Sequence, residues 1–448
     1  MNVGATAYFL RALNAYHHKL LVTCFVGYYQ ERATEDTMWT VMEQDGQVVT
    51  GGALAGIRVL DLSRVLAGPY CAMTLGNLGA DVVKVERPGS GDDTRQWGPP
   101  FVGGESAYYL SCNSSKRGVT VDLSRAEGRT LAQDLAARAD VLIENYKAGA
   151  ADAWGLGYET LSAANPGLIY CSIRGFHPDG SYSDRPGYDF IAQALGGVMS
   201  VTGEREGAPA KVGIAIVDIT TGLYAVAGIL AALHARALPE RGGRGQRVEV
   251  NLLDAAAGWL ANLGQSYLVT GDAPGRSGNA HPAIVPYQTF QAADGYVAVA
   301  VGNDGQWRKL CASIERPDLA ADARYATNPQ RVALRDELVP DLAATFQARS
   351  VADWVERLTA VAVPCGVVNT IAQVFEAPGL LGPDMLAELP HPTLESVRVV
   401  NTPIGLSATP VTPRRAPPTL GQHTDEALGD WLDLDADEIA ALREKGIV

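Results

Sequence analysis
Short apolar runs of strand length recur along the chain, separated by stretches with helical periodicity. The first run is IRVLDLS, starting at Ile57. It leads into AGPYCAMTLGNLG, where Pro69 falls in the first turn of a helix and its missing N–H costs nothing. DVVKVERP is a second strand. SRAEGRTLAQDLAARA repeats its apolar residues at helical spacing, and Ser124 followed by Glu127 has the spacing of a capping box. ADVLIEN and GLIYCSIRGF are further strands, with GYETLSAANP between them as a short helix stopped at Pro166. YDFIAQALGGVMSV reads as one helical stretch. DITTGLYAVAGILAALHARAL reads as a long helix opening at Asp218, and RGQRVEVNLLDAA returns as a strand. Short apolar strands alternating with helices predict an α/β fold around a parallel sheet.

The pattern changes near residue 271. GDAPGRSGNAHPAIVPYQTF is loop-rich, YVAVAVGN is strand-like and VADWVERLTAV is helical. This predicts a second, smaller domain over 275–390, reached from the large domain (56–250) by a linker at 251–274. Residues 391–448 hold the strand-like SVRVVN, the proline-rich TPVTPRRAPPTLG and an acidic helical end. Residues 1–55 read as an extension of unknown role. Its apolar run within HHKLLVTCFVGYY is shorter than a membrane span. It lacks a signal-peptide cleavage pattern, and Glu31, Glu35 and Asp36 argue against a transit peptide.

Charge narrows the partners. Asp and Glu number 50 against 36 Lys and Arg, a formal net charge of −14. No basic tract stands out, so neither nucleic acid nor a membrane is expected as a partner. An anionic ligand must be held by local Arg and Lys or by helix N-termini. The cysteines, Cys24, Cys71, Cys112, Cys171, Cys311 and Cys365, form no C-x-x-C pair, and no zinc-type cluster occurs. No metal is expected, and scattered single cysteines suit a reducing cytoplasm.

Asp218, in GIAIVDITTG, is the first candidate for chemistry. An Asp before a long helix is a good N-cap. The same placement favours its ionised form at neutral pH, and an ionised carboxylate can attack a thioester carbonyl. Gly213 and Gly222 flank it, for close approach of a substrate or for packing. Other candidates fall at the carboxyl ends of strands, where α/β folds bind ligands. LSRVLAGPY lies at the first junction, without the G-x-G-x-x-G or G-x-x-x-x-G-K-[ST] spacings of dinucleotide and ATP loops. Arg87 ends a strand on a turn at the sheet's edge. Lys116, Arg117 and Arg125 bring local positive charge, which by itself reads as a solvated basic turn. Asn145, Tyr146 and Lys147 follow ADVLIEN, and Tyr188 and Asp189 precede a helix.

Taken in order, GIRVLDLSRVLAGPY, GADVVKVERPGSGDDTR, NSSKRGVTVDL, ADVLIENYKAGA, RPGYDFIAQALGG, VDITTGLYAVAGILAAL, GRGQRVEVNLLDA and APPTLGQHTDEAL resemble the landmarks of the family III CoA-transferases, the CaiB/BaiF family. The resemblance runs from Gly56 to the end of the chain. It implies a large Rossmann-like domain built from both chain ends, with 391–448 returning to it. It also implies a smaller inserted α+β domain and an interlocked homodimer, the partner being a second copy of this chain. No cofactor is implied as permanently bound; coenzyme A and acyl-CoA are substrates. The implied nucleophile is Asp218, acting through aspartyl anhydride and aspartyl-CoA intermediates. The implied CoA contacts are Leu66 and Ala67 at the first loop, Arg87, Val121 and Arg125 at the nucleotide, Asn145, Tyr146 and Lys147 along the pantetheine and diphosphate, and Tyr188 and Asp189 beside the thioester.

Departures from the family pattern narrow the substrate. The glycine run of formyl-CoA transferases is missing, and Leu66 and Arg64 replace a polar residue and a histidine of that subgroup. Ala153 stands where many members carry an arginine. RSGNAHPAIVPYQTF resembles members that handle dicarboxylic acids such as succinate, mesaconate or citramalate, which makes Arg64, Arg276 and His281 candidates for a distal carboxylate. Two alternatives share this fold. An α-methylacyl-CoA racemase needs a histidine base where this chain has Tyr188, a poor base at neutral pH. A non-catalytic CoA-binding protein has no need of Asp218.

Overall fold
A computed structural model describes residues 51–448. The extension expected at 1–55 lies outside the described residues as far as residue 50. Six strands form one parallel sheet: β1 (Arg58–Asp61), β2 (Asp81–Glu86), β3 (Lys116–Thr120), β4 (Val141–Glu144), β5 (Ile169–Arg174) and β6 (Arg247–Asn251), in the order β3-β2-β1-β4-β5-β6. Side chains alternate across a strand, so each strand feeds two cores. Leu60, Val83 and Leu142 enter one, Val59, Val82, Val141 and Ile143 the other. Helices cover both faces, which explains why these strands read as continuous apolar runs.

On one face lie α1 (Ala67–Asn77) and the long α4 (Ile216–Ala237). Val217, Thr221, Ala225, Ile229 and Ala232 of α4 recur every three or four residues and are buried. Helix α4 is long and apolar enough to cross a membrane, yet here it is a core helix. Gly222 fits it against α1: a Cβ there would stand 2.6 Å from the carbonyl oxygen of Ala67. Gly222 therefore serves helix packing. The opposite face carries α2 (Ala126–Arg138) and two C-terminal helices, Thr424–Leu432 and Ala436–Glu444, whose Ala427, Leu428, Trp431 and Ile439 join that core.

A separate core surrounds a three-stranded antiparallel sheet of Tyr287–Gln291, Tyr296–Ala300 and Cys365–Val367. Trp307, Phe290, Phe346 and Trp354 fill it.

Three local expectations are corrected. The capping-box reading of Ser124 fails, because the cap of α2 is Arg125 without a side-chain bond, and Ser124 Oγ bonds Asp122 instead (2.6 Å). YDFIAQALGGVMSV is two helices, α3 (Asp189–Leu195) and Val198–Val201, broken at Gly196 and Gly197, where Gly197 takes φ 84°. Lys116 and Arg117 form no solvated turn: they are buried in β3 and ion-paired, Lys116 with Asp61 (3.0 Å) and Arg117 with Asp430 (2.7 Å) and Asp81.

Candidate active site
The strand order turns at β1 and β4, and a crevice opens beyond the carboxyl ends of these adjacent parallel strands, whose following connections lead off to opposite sides. Arg64 follows β1 and Asn145 follows β4. The two bridge the turning point with paired bonds: Arg64 N–H donates to Asn145 Oδ1 (2.8 Å) and Asn145 Nδ2 donates to the Arg64 carbonyl (2.7 Å).

A cavity of about 340 Å³ opens there, bounded by the loop Arg64–Ala67, by Asn145–Lys147, by Arg174 and Arg185, by Tyr188 and by Asp218. A second, of about 420 Å³, adjoins it and shares Arg64 and Tyr146. Arg87 and Val121 line that second cavity, as do Lys84, Ser124 and Trp154. Leu66, Ala67, Asn145, Tyr146, Lys147, Tyr188 and Arg64 are thus brought together around Asp218, with Arg87 and Val121 next door. Arg125, Arg276 and His281 stand outside both cavities. Arg125 donates to the Lys445 carbonyl. Arg276 is spent on the carbonyls of Glu204 (3.2 Å) and Gly207 (2.6 Å). His281 packs beside Tyr287, ring centroids 5.4 Å apart.

The loop after β1 rests on a buried ionic floor. Lys84 Nζ bonds the Ser63 carbonyl (2.9 Å) and Asp92 (3.0 Å), while Lys116 Nζ bonds Asp61 (3.0 Å) and Asn113 (2.8 Å). All four charged side chains are buried. Burial opposes ionisation of Asp61, but Lys116 and Lys84 still hold its carboxyl below the usual range. Asp92 also accepts from Val65 N–H (3.2 Å). Val65 has φ 71°, a left-handed conformation costly for a β-branched residue. The floor holds that turn, so Leu66 and Ala67 face the cavity. A lysine inside a buried strand was the sequence signal for this network, since such a charge must find partners.

Asp218 differs from expectation in two ways. Helix α4 starts two residues earlier, with Ala215 as its uncapped N-cap, so Asp218 is not the cap. It sits half-buried in the first turn and lines the cavity. Its carboxyl is also not simply kept charged by the helix N-terminus. Burial and the negative charge of Asp189 push its pKa up to about 7. Asp189 is buried beneath it, outside the cavity lining, where it accepts from the N–H groups of Val217 (2.8 Å) and Asp218 (3.2 Å).

A Rossmann-type strand order, a cleft at its turning point, cations along that cleft and a carboxylate at the head of a helix define an α/β enzyme that handles an elongated anionic substrate. The chain belongs to CoA-transferase family III, whose profile matches residues 54–424. It is 41% identical over 88% of its length to a human succinyl-CoA:glutarate CoA-transferase, covering 90% of that protein. A succinate–glutarate CoA-transferase of Agrobacterium fabrum is 44% identical, with 84% and 95% of the two chains covered. A succinyl-CoA:mesaconate CoA-transferase of Haloarcula hispanica is 43% identical over 85% of this chain and 96% of that one. Among solved structures, a CaiB/BaiF family protein from Brucella suis superposes with a TM-score of 0.76 at 44% identity, covering 85% of this chain and 100% of that one. The protein is accordingly an enzyme that transfers CoA from an acyl-CoA to a carboxylate.

Proposed function
We propose that the enzyme exchanges CoA between succinyl-CoA and a second dicarboxylate, with Asp218 as the nucleophile. One observation carries this reading: Asp218 is the carboxylate of α4 that lines a cavity also lined by Arg64, Lys147, Arg174 and Arg185. Asp218 Oδ attacks the thioester carbonyl carbon, the C–S bond breaks, and an acyl–aspartyl anhydride forms beside CoA thiolate. The thiolate attacks the Asp218 carbonyl carbon and releases the donor acid, leaving an aspartyl-CoA thioester. The acceptor carboxylate attacks that carbon and expels the thiolate, which takes the acceptor acyl group and frees Asp218. Each step exchanges one activated acyl bond for another, so the thioester's energy is kept. The cations suit a long anionic substrate with a distal carboxylate, and relatives from three organisms act on succinate with glutarate or mesaconate. Arg64 is our candidate for that distal group, which would replace its exposed ion pair with Asp93 (3.2 Å). Arg125, Arg276 and His281 reach the site in this reading only by rearrangement or from a second copy.

We also propose the interlocked homodimer. Tyr267, Leu268, Val269 and Ile371 lie exposed, an apolar surface suited to burial by a second chain. The division into 56–250 with 391–448, a linker at 251–274 and a small domain at 275–390 belongs to this reading and is supported by the separate core around Phe290 and Trp354. Cys71, Cys112, Cys171, Cys311 and Cys365 are free, which supports a reducing compartment, and we assign the enzyme to the cytoplasm.

The test is direct. Asp218→Ala is expected to abolish exchange while CoA still binds. In the unaltered enzyme, hydroxylamine added with succinyl-CoA should mark Asp218 by mass spectrometry. A label on another carboxylate sinks the assignment.

A further inference from the structure
Helix α4 opens with backbone donors that its own side chains do not cap. A neighbouring helix supplies the acceptor. Asp189, the first residue of α3, takes both Val217 N–H and Asp218 N–H on Oδ1, at 2.8 and 3.2 Å. Its other oxygen accepts from Gln193 Nε2 (2.6 Å), one turn along α3. The remaining amide oxygen of Gln193 accepts from Val212 N–H (2.8 Å). Both side chains are buried, at 9% and 0% exposure. One carboxylate–amide pair thus grips the chain at Val212 and again at Val217 and Asp218. The segment between has little packing of its own: Gly213 has open space at its Cβ position and Ile214 is 57% exposed.

We propose that Asp189 and Gln193 are the positioning residues of the nucleophile, fixing the backbone on both sides of residues 212–218 and placing a negative charge beneath Asp218. This rests on Asp218 being the nucleophile. Asp189 touches the backbone of α4 and the Gln193 amide, stands outside the cavity lining and is not itself a catalytic residue. Its charge raises the affinity of Asp218 for a proton. Tyr108, from the helix Ala107–Leu110, also feels the Asp218 charge, and Arg64, Lys147, Arg174 and Arg185 line the same cavity. Asp93 lines it too, paired with Arg64 (3.2 Å), while Asp189 is the acidic neighbour whose charge acts on Asp218.

The experiment compares full-length Asp189→Asn, Asp189→Ala and Gln193→Leu by the pH dependence of kcat/KM and by the split of kcat from KM. Asparagine keeps the oxygen that caps α4, loses the charge and gives up the bond from Gln193 Nε2, which the Gln193→Leu variant controls for. Its acid limb should move down by about one pH unit, a shift that a merely structural role would not produce. Alanine loses the grip, and kcat should fall roughly 10- to 100-fold with KM for acyl-CoA within about twofold of the parent. Gln193→Leu should lower kcat in the same direction with the acid limb unmoved. An acid limb for Asp189→Asn that coincides with the parent's overturns the proposal, whether or not the alanine variant folds. Asp218→Ala keeps the two readings apart. If that variant still exchanges CoA, the nucleophile assignment fails; if it is inactive while the Asp189 variants behave as the parent, only the positioning role fails.

Discussion
At Asp218 two influences pull in opposite directions. The helix N-terminus favours its ionised form. Burial and the Asp189 charge favour the protonated form and win, placing its pKa at about 7. On the proposed route, attack on the thioester requires the ionised carboxylate, so exchange should fall away as pH drops below about 7, a limb visible in kcat/KM. The same shift has a stability consequence. A carboxyl whose pKa is higher folded than unfolded adds stability below its unfolded pKa of 3.8, and that contribution is lost as pH rises through about 7. Above pH 7 the folded enzyme carries an ill-solvated charge. Asp218→Asn should therefore be more stable than the parent at pH 8, by about 1–2 kcal/mol once cavity solvent is allowed for, with the gap closing towards pH 5. Denaturant melts at the two pH values measure this, and equal midpoints at pH 8 would contradict it. Asp218 as a candidate was legible in the chain; its proton affinity was not. Asp189 is 29 positions away in sequence, and only folding sets its charge against Asp218.

At the scale of elements, the cavity depends on how α1 and α4 meet. Gly222 lets α4 lie against the Ala67 carbonyl at the mouth of α1, and Ala67 lines the cavity. Gly222→Ala forces backbone against a methyl group. It should cost about 1–3 kcal/mol of stability and lower kcat by displacing the Leu66–Ala67 loop; an unchanged denaturation midpoint would show that the helices part freely. Most elements were legible because their periodicity is local: β1, β2, β4 and β5 stand where apolar runs predict them. Caps and breaks were less so. Asp189 crosses from α3 to cap α4, and no spacing rule within one helix reveals a donor–acceptor pair between two. Lys116 looks like surface charge in a one-dimensional reading, yet Asp61 meets it inside the sheet, and no local pattern shows that Lys84 will meet Asp92.

For the whole molecule, the apolar residues on the outer surface of α4 and beyond, Leu223 and Tyr224 with Leu268 and Val269, call for a partner. Sedimentation equilibrium should give the mass of two chains, and Leu268→Asp with Val269→Asp should weaken that association; a single-chain mass for the parent would refute the proposed homodimer. The sequence by itself determined the parallel α/β class, most strands of the large sheet and the residues that fall at their ends, because each depends on neighbours within a turn or a strand; the family showed in the order of the motifs along the chain. Only the tertiary structure decided which of those residues share a cavity. It placed Arg64, Asn145, Tyr188 and Asp218 together, kept Arg125, Arg276 and His281 apart from them, and turned Lys116 and Arg117 inward. The reason is physical: a site is set by the distances and screening between groups far apart in the chain, and those exist only once the sheet has brought its strand ends side by side.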